Sequence, residues 1–140
     1  MTEKTTQQPV KTDKKKVSAK KVFKNIAEAR LVVNATFNNT LVSVSDMQGG
    51  VLAWSSAGHA GFKGSRKSTP FAATVAIEKV LGEAQKHGVK KLHIFVKGPG
   101  TGRDAILRYL RAKRDFEVES LSDITPIAHN GPRAPKMRKM

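Results

Sequence analysis

The chain has 140 residues, enough for one domain with a real core, and 39% of it is apolar, which is ordinary for a folded protein. Its 26 Lys and Arg face only 11 Asp and Glu, a formal net charge of +15, and the pI is near 10.4; such an excess calls for a polyanionic partner. Neither an unbroken apolar span nor an amphipathic helix ending in Trp or Phe anchors is visible, which disfavours a membrane, and the absence of Cys removes thiol catalysis and Cys-ligated zinc.

Residues 1–27 read as a disordered basic arm. From Met1 to Lys24 the sequence is Lys-, Gln- and Thr-rich and too poor in apolar residues to offset its ordering entropy. Lys14, Lys15, Lys16, Lys20 and Lys21 suit either a phosphate-contacting comb or a solvated tail. The start lacks the apolar region of a secretory signal and the Arg-rich amphipathic pattern of a transit peptide, so a reducing interior is expected.

Residues 28–125 read as one α/β domain. Leu31, Val32 and Val33 open a strand that runs to Phe37, Asn38-Asn39 turns it, and Leu41 to Ser45 returns. Met47-Gln48-Gly49-Gly50 makes a second turn into Val51 to Ser55, completing a three-stranded meander. A Gly-rich basic loop, Ala57 to Ser68, precedes a helix capped by Thr69, with Pro70 as its first residue. Phe71, Val75, Ala76, Ile77, Val80, Leu81 and Ala84 give that helix a broad apolar arc, and it stops at His87-Gly88. Leu92 to Val96 is the next strand, Gly98 to Arg103 a turn, and a second helix directs Ile106, Leu107 and Leu110 inward. The last strand is Phe116 to Leu121, so the order implies a mixed five-stranded sheet with two main helices. Phe37 and Trp54 are expected in the core. Residues 126–140 read as an extended basic tail, stiffened by Pro126, Pro132 and Pro135.

Two loops carry the binding signal. Lys63, Arg66 and Lys67 lie among glycines that permit close approach, with Ser65, Ser68 and Thr69 as phosphate donors. The turn after the Leu92 to Val96 strand puts free amides at a helix start beside Lys97 and Arg103, although its third glycine position is Arg103 and no Walker sequence is present. A polymer phosphate fits better than a nucleotide. Against this, Asp115, Glu117, Glu119 and Asp123 mark a surface that repels phosphate. His59, His87, His93 and His129 lack metal-ligand spacing, and turn or cap roles account for Asp46, Asp104 and Asp123, so an enzyme is not expected, nor any cofactor, metal or small-molecule substrate.

Three stretches are specific together: Phe37-Asn38-Asn39-Thr40; Gly64-Ser65-Arg66-Lys67-Ser68-Thr69-Pro70-Phe71-Ala72-Ala73; and Lys97-Gly98-Pro99-Gly100 with Gly102-Arg103. With Asp123-Ile124-Thr125-Pro126-Ile127-Ala128-His129-Asn130-Gly131, the sequence resembles the S-eleven family of small-subunit ribosomal proteins from about Glu28 to its end. Thr101 and Ala128 stand where that family usually has proline, and Arg111 to Asp115 departs locally. The resemblance implies a ribonuclease-H-like α/β domain on the platform of the small subunit. It implies contact with small-subunit ribosomal RNA and neighbouring platform proteins, messenger RNA nearby, and a cytoplasmic, ribosome-bound location. Carried over by residue, the RNA-binding set is Asn38, Asn39 and Thr40; Lys63, Gly64, Ser65, Arg66, Lys67, Ser68 and Thr69; Gly98, Gly100, Gly102 and Arg103; and His129, Asn130, Gly131, Arg133, Lys136, Arg138 and Lys139 in the tail; charge and position in the sequence add Lys97 before the glycine turn and Arg108 and Arg111, which share the polar face of the second helix.

Overall fold

The computed structural model describes residues 25–137, so the Lys14 to Lys21 comb and the tail cations Arg138 and Lys139 lie outside the described residues. Five strands form one mixed sheet: β1 (Glu28–Ala35), β2 (Thr40–Ser45), β3 (Val51–Ser56), β4 (Lys91–Lys97) and β5 (Glu117–Asp123), in the spatial order β3-β2-β1-β4-β5. The β1 strand pairs antiparallel with β2 and parallel with β4; β2 with β3 is antiparallel and β4 with β5 parallel. Helix α1 (Pro70–Lys86) packs on β2 and β3, helix α2 (Gly102–Ala112) packs on β1, and the helices touch each other, so both cover the same face.

Strand alternation explains the core. Ala29, Leu31, Val33 and Ala35 of β1 are fully buried. Register places Leu31 between Val44 and Ile94, and Val33 between Val42 and Val96. Ile77, Val80 and Leu81 of α1 and Ile106 of α2 close over that row. Burial of each such aliphatic side chain contributes about 1.5–3 kcal/mol. Thr69 caps α1 by accepting a hydrogen bond from the Ala72 amide at 3.3 Å, Pro70 opens it, and Gly88 at φ 78° follows its end.

Four apolar expectations fail. Phe37 and Trp54 are 74% and 58% exposed instead of in the core. Phe37 lies beyond the end of β1, on the hairpin turn, while Trp54 alternates onto the sheet face that no described helix covers, leaving the core side of β3 to Ala53 and Ser55. Phe71 is 68% exposed in the first turn of α1, where it packs edge-on against Phe62 with centroids 6.0 Å apart, and Leu107 is 36% exposed between α2 and β5. The basic loop also contains a short 3-10 helix, Gly64–Ser68, not foreseen from the sequence.

Candidate nucleic-acid interface

Strand direction decides where the loops go. Because β2 is antiparallel to both β1 and β3, and β4 and β5 are parallel to β1, four strands point the same way. The β1–β2 turn, the loop after β3, the turn after β4 and the segment after β5 therefore all leave from one end of the sheet. Asp46, in the β2–β3 turn, is at the other end, where it accepts a hydrogen bond from the Gly50 amide at 2.7 Å. It cannot join Asp104 and Asp123, and among the described residues no group of three or more His, Asp and Glu is placed to hold a metal ion.

At the hairpin tip the Thr36 amide donates to the Asn39 carbonyl at 2.9 Å, and the Asn39 amide donates to Thr36 Oγ1 at 3.1 Å. Asn39 Oδ1 accepts from the Thr40 amide at 3.0 Å, so this side chain shapes the turn and leaves Phe37 and Asn38 outermost. Thr40 is 3% exposed, beneath the surface instead of on it.

The glycine turn is seated directly on this hairpin. The Gly100 amide donates to the Ala35 carbonyl at 2.9 Å. A Cβ on Gly98 would lie 3.0 Å from the Ala35 carbonyl carbon, one on Gly100 would lie 2.7 Å from that of Thr36, and one on Gly102 would lie 2.8 Å from Thr40 Cγ2. Gly98 also holds φ 94°, a conformation that disfavours side chains. Thr101 then donates its hydroxyl to the Ser68 carbonyl at 2.8 Å, a bond that proline at this position cannot make, and joins the turn to the basic loop.

Within that loop the Ser68 hydroxyl donates to the Ser65 carbonyl at 2.7 Å and the Thr69 hydroxyl to the Arg66 carbonyl at 2.9 Å. These two protons were expected to serve phosphate; they build the loop instead. Lys63 and Arg66 remain exposed, Lys67 is half-exposed, and none of these, nor Lys97, is held in an ion pair by a described residue.

Arg103 is differently placed. Its guanidinium donates to the Gly98 carbonyl at 3.0 Å and to Thr125 Oγ1 at 3.4 Å, and forms an ion pair with Asp123. The Gly98 amide donates to the same Thr125 oxygen at 3.1 Å, so Arg103 fastens the glycine turn to the start of the tail. The Asp123 carboxyl, accepting the Thr125 hydroxyl at 2.6 Å and the Thr125 amide at 2.9 Å, is drawn down to about 2, chiefly by the hydroxyl, then the amide, then Arg103.

The structure does not bring every candidate together. Arg108 and Arg111 are exposed on α2, about 9–14 Å along the axis from Gly102 at 1.5 Å per residue. His129, Asn130, Gly131, Arg133 and Lys136 are exposed along the tail, with Asn130 at φ 51°. Three positions had no place in the sequence-derived set: Thr36 closes the hairpin, Thr101 ties two loops, and Thr125 ties the tail. Only Thr36, three residues before Asn39 in a turn segment, carried a readable signal.

The family model for ribosomal protein S11 matches residues 29–139, thus running from the second residue of β1 through all later elements and into the tail. That match extends well past half of the 140 residues. The same model unites the hairpin, both loops and the tail that the fold gathers at one end. The chain belongs to the ribosomal protein S11 family and is a ribosome-bound structural protein of the small subunit that binds ribosomal RNA.

Proposed function

We propose that residues 28–125 are the RNA-binding domain, of ribonuclease-H-like topology, with residues 126–140 as an RNA-binding tail and 1–27 as a basic arm. The cytoplasmic small-subunit platform near the messenger exit region is its proposed place, with platform proteins and messenger RNA as neighbours. The RNA-facing surface comprises Asn38, Lys63, Gly64, Ser65, Arg66, Lys67, Lys97 and the tail from His129 to Lys139, with Arg108 and Arg111 as an outlying patch. Asn39, Thr40, Ser68, Thr69, Gly98, Gly100, Gly102 and Arg103 hold that surface in shape, and their backbone edges touch RNA where exposed.

One observation carries the reading: segments centred on Asn38, Arg66 and Gly100 are hydrogen-bonded into one surface whose cations Lys63, Arg66, Lys67 and Lys97 have no acidic partner among the described residues. Such a surface is preorganised, so phosphate neutralisation loses little to loop ordering. The carboxylates Glu117 and Glu119 lie on β5, away from this loop cluster. Recognition is mainly of backbone and shape, because folded RNA offers phosphates and 2′-hydroxyls more readily than base edges.

The test is affinity for small-subunit ribosomal RNA across a salt series, with co-sedimentation on small subunits. Neutralising about six phosphates gives a log–log slope of roughly −4 to −5. A flat salt profile, or equal affinity for duplex DNA, refutes the mechanism; failure to co-sediment refutes the placement.

A further inference from the structure

Among the described residues the Phe and Trp side chains that stand largely exposed are Phe37, Trp54 and Phe71. The Trp54 ring lies 5.2 Å from that of His59, and Phe71 meets Phe62 edge-on. Phe37, the most exposed at 74%, has no ring contact with any described residue. A lone apolar side chain at a surface needs no explanation by itself; its position here calls for one. Thr36 and Asn39 close the hairpin with hydrogen bonds that use neither the Phe37 nor the Asn38 side chain, so both are presented outward on a turn of fixed shape. The Asn38 side-chain amide has no hydrogen bond to a described residue. The peptide bond leading into Phe37 lies against the glycine turn, where a Cβ on Gly100 would be 2.7 Å from the Thr36 carbonyl carbon. Thr101 joins that turn to Ser68 at 2.8 Å, beside exposed Arg66 and half-exposed Lys67. Phe37 is thus continuous with the cationic loops, and residues 36–40, 57–69 and 97–103 contain no Asp or Glu to repel a polyanion lying over it.

We propose that Phe37 is a stacking platform for one unpaired nucleobase of the ribosomal RNA, with the adjacent Asn38 amide hydrogen-bonding the edge of that base; the proposal rests on the RNA-facing surface described above. Cations hold phosphates wherever they fall along the chain, whereas an aromatic face takes a base and so fixes which nucleotide sits at the hairpin tip. Unpaired bases of folded RNA are splayed outward and stack on such rings. Because the turn is already closed, little ordering is lost when the base arrives. An apolar anchor for a protein partner belongs at the centre of an apolar patch, but the neighbours of Phe37 in the turn are Thr36, Asn38 and Asn39, all polar. The stack releases no counterion, so its contribution is independent of salt.

Affinity of the full-length chain for small-subunit ribosomal RNA is measured across a salt series for Phe37→Ala, Phe37→Leu and Phe37→Trp, with Arg66→Ala as the phosphate control. Loss of one stack lowers affinity about 5- to 150-fold in Phe37→Ala. The log–log salt slope stays unchanged there, whereas Arg66→Ala reduces it by roughly 0.7–0.9. Phe37→Trp keeps the wild-type affinity, and Phe37→Leu, apolar but without a π face, falls with Phe37→Ala. In reconstituted small subunits a photo-crosslinking benzoylphenylalanine in place of Phe37 attaches to an unpaired nucleotide. Wild-type affinity in Phe37→Ala or Phe37→Leu overturns the stack, as does a reduced salt slope in Phe37→Ala, which means displaced cations instead. A crosslink to protein, or no crosslink at all, equally overturns it. Should Phe37→Ala fail to fold, the contrast of Phe37→Leu with Phe37→Trp and the crosslink decide. An unaltered slope in Arg66→Ala refutes the RNA surface itself, whereas a reduced one beside wild-type affinity in Phe37→Ala refutes only the stack.

Discussion

Substituting Gly100 with Ala tests whether the glycine turn is truly seated on the hairpin. Gly100 is buried and has no unusual φ, so backbone strain is not involved. The new Cβ would lie 2.7 Å from the Thr36 carbonyl carbon and 2.9 Å from that of Ala35, and closer still to the Thr36 oxygen. Carbon atoms prefer about 3.5 Å or more, so turn and hairpin must part by roughly 0.7 Å. Overpacking of this kind costs about 1–3 kcal/mol, and the Gly100 to Ala35 hydrogen bond, now 2.9 Å, stretches, with a further loss of about 0.5–1.5 kcal/mol. Urea unfolding followed by circular dichroism should therefore show a destabilisation of about 2–4 kcal/mol with an unchanged m-value. Affinity for ribosomal RNA should fall as well, since Arg66 and Lys97 lose their relative placement. Destabilisation below about 0.5 kcal/mol, the ordinary range for a surface change, refutes the seating.

Gly82→Ala, inside α1, should act oppositely, raising the stability of the free chain by about 1 kcal/mol, because the added methyl meets no neighbour and glycine is a poor helix former; a lowered urea midpoint contradicts the open space beside this position. Arg66→Ala and Lys67→Ala should each reduce the salt slope of RNA binding by roughly 0.7–0.9 while leaving unfolding within about 0.5 kcal/mol of wild type; an unaltered slope removes these residues from the interface. The Asp123 carboxyl, normally near 3.8, should titrate at about 2 by carbon-13 NMR. A depressed folded value means its stabilisation is fully present above pH about 4 and is lost as pH falls through about 2. Thr125→Val should move that midpoint up more than Arg103→Lys; an ordinary midpoint in the unaltered chain refutes the network.

Local chemistry made much of the fold readable. The Thr69-Pro70 start, the His87-Gly88 stop and the Gly49-Gly50 turn stand where cap and turn residues indicate, since those preferences depend on backbone conformation within a few residues. The five strands emerge with shifted ends: β1 finishes at Ala35, two residues before Phe37, because Thr36 and Asn39 close the turn sooner. Alternation places Trp54 opposite Ala53 and Ser55 in direction, yet it cannot say which sheet face the helices cover, and hence Trp54 was assigned to the core and is exposed.

The sequence by itself determined the chemical class of partner, through net charge, and the nature of each loop, through its glycines and cations; its motifs carried the family resemblance. Tertiary structure alone decided that segments more than sixty residues apart, Asn38 and Gly100 among them, share one end of the sheet, because that follows from strand direction across the whole sheet. It also separated cations that face outward from one that does not: Arg66 and Arg103 read alike as letters, but only Arg103 has a carboxylate folded against it, supplied by Asp123 from the far edge strand.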